Sequence, residues 1–61
     1  MRANLTSKPV FGRHPHGGAR AYIHFYDRHH RPCPEEDSYC GVYAEYDGNG
    51  IQIYTAVLYG C

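Results

Sequence analysis

The sequence predicts a mainly β fold: a small three-stranded antiparallel sheet with an irregular N-terminal arm and at most one short helix. Three observations lead there. Residues 20–26 alternate Ala21, Ile23 and Phe25 with Tyr22, His24 and Tyr26, the period of a half-buried strand. Residues 42–46 and 51–59, rich in β-branched and aromatic side chains, flank Asp47-Gly48-Asn49-Gly50, which holds both an Asp-Gly and an Asn-Gly turn pair. No stretch carries the period of a long amphipathic helix.

Each element has its own justification. Residues 1–19 contain Pro9, Pro15, Gly12, Gly17 and Gly18 with no sustained period, so they read as an irregular arm ahead of a β domain at 20–61. The first strand ends in residues 27–34, where paired His and two Pro interrupt it. Pro34 then offers a first helical position, with Glu35, Glu36 and Asp37 in the turn where a helix dipole favours acids. A symmetric closure of the hairpin sets Tyr46 opposite Ile51, Ala44 opposite Ile53, Val42 opposite Thr55, Tyr43 opposite Tyr54 and Glu45 opposite Gln52. With that register Ala21, Ile23, Phe25, Val42, Ala44, Ile51, Ile53 and Val57 share one apolar face. Either the arm covers it with Leu5, Val10 and Phe11, or a second copy does; the expectation is a homodimer.

Sixty-one residues make one small domain with a thin core, which leans on a disulfide, a metal or a second chain. No apolar run is long enough for a signal-peptide core or a membrane span, and the expected setting is the cytoplasm, without membrane contact. Three cysteines, Cys33, Cys40 and Cys61, then read as reduced thiols or metal ligands rather than a disulfide framework. The zero net charge conceals an asymmetry: all six Lys and Arg lie in the first half, and five of the six acids follow Pro34.

Seven tyrosines in so short a chain point to a contact surface, because Tyr supplies large area at low entropy cost. The opposite face of the expected sheet presents Tyr22, His24, Tyr26, Tyr43, Glu45 and Tyr54 as the partner-binding set. The function expected first is therefore binding without catalysis: a dimer docking onto a protein target, as a viral or mobile-element inhibitor of a host protein does. So small a sheet offers little concave volume for an enzyme's water-excluding pocket.

A second reading is recognition of a short nucleotide or nucleic acid. Arg13, His14, His16, Arg20, Arg28 and Arg31 would meet phosphates while tyrosines stack on bases. A third is a zinc-stabilised module held by His29, His30, Cys33 and Cys40, although the spacing of seven between the two cysteines suits one metal poorly. Cys33, just before a helix start, would also have a lowered thiol pKa.

Overall fold

The computed structural model describes residues 5–61. It is an antiparallel meander of four strands, β1 (Ser7–Val10), β2 (Arg20–Tyr26), β3 (Cys40–Tyr46) and β4 (Gln52–Tyr59), in the spatial order β1-β2-β3-β4. The mainly β reading holds, with one strand more than the three expected. The extra strand lies in the stretch read as an irregular arm: Ser7 to Val10 pair with His24 to Ala21, and Phe25 donates its N–H to the Thr6 carbonyl at 2.9 Å. Pro9 has no N–H to donate, and an edge strand tolerates that because one of its sides needs no partner. Residues 1–4 of that arm, Arg2 among them, lie outside the described residues.

Among the described residues, helical structure is confined to a 3₁₀ turn at Glu35–Asp37. Pro34 precedes it in an extended conformation, and Ser38, also extended, closes it by donating its N–H to the Glu35 carbonyl. Three acids in succession meet the dipole preference of a helix start, but no apolar stripe follows to bury a longer helix.

The hairpin between β3 and β4 forms, in a register two residues away from symmetric closure. Val42 faces Val57, Tyr43 faces Ala56, Ala44 faces Thr55 and Glu45 faces Tyr54, and irregularities flank this block. Near the turn Tyr46 pairs with Gln52, leaving Ile53 as an extra residue; at the other end Gly41 pairs with Tyr59, leaving Leu58 extra. Ile51 belongs to a five-residue loop in which Asp47 and Ile51 join their backbones at 2.9 Å.

The pairing of β2 with β3 changes which side chains share a face. Ala21 lies opposite Glu45, Ile23 opposite Tyr43 and Phe25 opposite Gly41, whereas Tyr22 lies opposite Ala44 and His24 opposite Val42. Opposed residues in an antiparallel ladder point to the same side. The expected oily face therefore splits: Ala21, Ile23 and Phe25 go to one side, Val42, Ala44 and Val57 to the other. We call the first side inner, because residues 16–18 and 33–38 pack or bond against it.

The core is thin. Its buried apolar residues are Ala21, Phe25, Cys33, Cys40 and Ala44, and no Val, Ile or Leu among the described residues is buried. Phe11, which with Leu5 and Val10 was the alternative to a second copy as cover for the sheet, is 86% exposed, and Leu5 is exposed too. The cover on the inner face is polar instead.

A disulfide closes the end of the sheet, which corrects the expectation of reduced or metal-bound cysteines. Cys40 and Cys61 are bonded, with Cα atoms 5.3 Å apart, inside the range a disulfide spans. The meander brings the start of β3 beside the end of β4, a proximity that spacing along the chain does not reveal. Gly60 makes the last step at φ +89°, and a Cβ there would run into the Tyr39 carbonyl and the Cys40 backbone. Closing a loop of this size stabilises the fold by about 3 kcal/mol.

Candidate functional site

The inner face is built around a carboxylate. Glu45, with 0% of its surface exposed, is the largest fully buried side chain. Its Oε2 accepts the Tyr43 hydroxyl at 2.8 Å and the His16 N–H at 3.2 Å, and its Oε1 accepts the Gly18 N–H at 2.9 Å. Gly18 is required by space: a Cβ there would sit 2.8 Å from Glu45 Cβ and Oε1. The His16 ring stacks on Tyr54 with centroids 3.5 Å apart, and Tyr54 meets Tyr43 edge-on at 6.2 Å. Burial pushes the Glu45 carboxyl upward, but the hydrogen bonds from Tyr43, Gly18 and His16 together outweigh it and hold the group below the usual glutamate range. Burial, then the bond to Glu45, raises the Tyr43 phenol. Fully bonded and closed to solvent, the carboxylate ties residues 16–18 to the sheet.

Of the six side chains expected on one tyrosine-bearing face, Tyr43, Glu45 and Tyr54 belong to this inner network. Tyr22, His24 and Tyr26 lie on the other side of the sheet. The set expected to act together is divided by the β2–β3 register.

The outer face carries an aromatic cluster. His24 Nε2 and the Tyr46 hydroxyl are hydrogen-bonded at 2.7 Å, and Gln52 Nε2 donates to the same hydroxyl at 3.3 Å. Tyr22 lies edge-on to Tyr46 at 6.0 Å and beside His24 at 6.3 Å. Ala44, opposite Tyr22 on this face, is 0% exposed although it sits on the open side. Val42 and Val57 continue the face toward β4. The hydrogen bonds and ring contacts of this cluster come from the sheet itself, and no second layer of strands or helices lies over it among the described residues.

Tyr46, Val42 and Val57 escaped the sequence reading because their face was grouped with Ala21, Ile23 and Phe25 on the buried side, a grouping that the β2–β3 register undoes. A signal was present: Tyr26-Asp27 and Tyr46-Asp47 recur twenty residues apart, each ending a strand. Taken together, the two pairs put Tyr46 in the same structural role as Tyr26.

The six residues expected to bind anions do not converge. His14 and Arg20 line a shallow groove of about 320 Å³ with Val10, Phe11 and Tyr22, where His14 Nδ1 is buried with no partner among the described residues. Arg13 is exposed beside it in sequence. His16 is turned to Tyr54, Arg28 lies over the Tyr39 ring at 5.2 Å, and Arg31 pairs with Asp27 at 3.4 Å.

The expected metal ligands are likewise dispersed. Cys40 is in the disulfide, Cys33 is buried, and His29 and His30 are exposed in the 27–31 turn. No group of three or more His, Cys, Asp or Glu gathers in metal-holding geometry among the described residues. The lowered thiol pKa expected of Cys33 is also corrected, since burial, then Asp27 and Asp37, raise it and favour the protonated form. No helix among the described residues is long and apolar enough to cross a membrane. Comparison of the chain with protein-family models, with curated proteins and with solved structures finds no match to any of them.

Proposed function

We propose that this protein works without catalysis, as a binding module that docks a protein target on its outer face. The observation carrying this reading is the Tyr22–His24–Tyr46 cluster. Its rings are half-buried, held by two hydrogen bonds at Tyr46 and continued by Val42 and Val57, with no strand or helix packed above them among the described residues. Pre-ordered tyrosines lose little entropy on contact, which suits them to recognition. The disulfide favours an oxidising setting for the working form over the cytoplasm.

A second reading, a short nucleotide held in the groove, draws on Arg20 and the unpartnered His14 Nδ1. One mapping separates the two. Amide exchange of the labelled protein is compared with and without its captured target, and in a parallel arm with AMP. Protection of Tyr22, Val42 and Tyr46 by the target, lost in Tyr22→Ala with the fold intact, is the expected result. Protection confined to residues 10–20 by the target, or by AMP, overturns the outer-face reading.

A further inference from the structure

The two edges of the sheet differ in how they are guarded. β1 is four residues long and carries Lys8 and Pro9, both common means of blocking strand addition. Lys8 also reaches across to Glu35 at 3.7 Å. β4 is eight residues long and contains no charged residue and no Pro, so its backbone can donate along its whole length. Its two irregularities leave Tyr54 to Val57 as a regular central block. The exposed apolar side chains concentrate here: Ile53 is 45%, Val57 56% and Leu58 51% exposed, with Ile51 and Tyr59 alongside.

We propose that β4 pairs antiparallel with β4 of a second copy of this chain, about a twofold axis normal to the sheet. The result is one eight-stranded sheet whose outer faces run on into each other. Two facts select a second copy as the occupant. An uncharged strand meets itself without like-charge repulsion and offers nothing to a charged partner strand. The isolated chain also buries no Val, Ile or Leu among its described residues, a deficit that a copy of itself can always relieve. An axis normal to the sheet keeps each face on its own side, so residues of equal parity meet. Thr55 then lies opposite either Thr55 or Val57 of the second copy. This pairing leaves Tyr22, His24 and Tyr46 free, and the oligomer mass tests it separately from target binding.

Light scattering after size exclusion tests it on the full chain. The expected mass is twice 7.0 kDa, falling to 7.0 kDa in Thr55→Lys and in Val57→Lys and unchanged in Tyr22→Ala. Where a lysine variant fails to fold, dilution of the native chain decides, because β4 amide protection then falls together with the mass. A native chain at 7.0 kDa at all concentrations overturns the proposal. So does a double mass that survives both lysine variants, or β4 protection gained only when an apolar peptide of foreign sequence is added.

Discussion

Two turns of this molecule use the same hydrogen bonds and lead to opposite outcomes. In residues 27–31 and again in 47–51, the first residue is Asp. Its N–H donates to the carbonyl of the fifth residue, its carbonyl accepts the N–H of the fourth, and its Oδ1 accepts the N–H groups of the third and fifth. In both the fourth residue has positive φ, His30 at 62° and Gly50 at 81°. After the second turn the chain runs out as β4, eight residues long. After the first it makes a single bridge, Tyr26 to Pro32, and leaves the sheet. Turn geometry is therefore not what decides whether a hairpin continues. Pro32 and Pro34 withhold the N–H groups a ladder needs, whereas residues 52–59 supply every one. The interrupted hairpin is useful in its failure, because residues 33–38 are freed to cross the inner face, where Cys33 bonds to Phe25 and Ser38 to Tyr59.

This contrast sets expectations of decreasing size. Asp47→Ala removes the acceptor of two N–H groups beneath the β3–β4 ribbon and is expected to cost about 2 kcal/mol in denaturant unfolding. Asp27→Ala removes the same two bonds where only one bridge follows, and is expected to cost less than half as much. Equal losses would show that the turns are energetically alike and that the comparison holds for geometry alone.

A smaller pair of effects has opposite signs. Gly50→Ala forces a Cβ into the left-handed region and is expected to lower stability by about 1 kcal/mol. His30→Gly relieves the same conformation but frees the unfolded chain, for a net gain of about 0.5 kcal/mol. Thermal melting of the two variants checks both signs.

The mildest probe is acid. The N–H of Arg31 lowers the Asp27 carboxyl, against a smaller upward push from desolvation, with further lowering from the N–H of His29 and the Arg31 charge. Glu45 is lowered as well. A carboxyl with a depressed folded pKa stabilises fully above its unfolded value, and that contribution disappears as the pH falls through the folded one. Stability is thus expected to be flat from just above the usual carboxylate range to neutral pH and to decline below that range. In an NMR titration the His29 and Arg31 amides should report Asp27, and the Gly18 amide Glu45. A Gly18 amide that shifts within the usual glutamate range would contradict the lowered Glu45.

Much of the fold is legible in the residues. The alternation of 20–26 and the glycine-bearing turn after Asp47 identify two strands and a hairpin without any tertiary information. β1 was hidden because four residues containing a proline carry no measurable period, and pairing with β2 is what makes them a strand. The candidate site was half legible: Tyr22, His24 and Tyr26 are on the outer face as expected, whereas Tyr43, Glu45 and Tyr54 turn inward. A carboxylate at a fully buried position could not be anticipated from its neighbours in sequence, since two of its three donors come from residues 16 and 18.

Strand propensity and turn chemistry act over a few neighbouring residues, so the chain's own order was enough to establish a β meander with a hairpin at Asp47. Register, facing and cross-linking act between strands. A slip that places Ile53 and Leu58 as extra residues, a partner strand that pairs Ala21 with Glu45, and a tail that returns to Cys40 are each settled by contacts far apart in sequence. Only packing of the whole sheet decides among such alternatives, because each satisfies the same local preferences equally well.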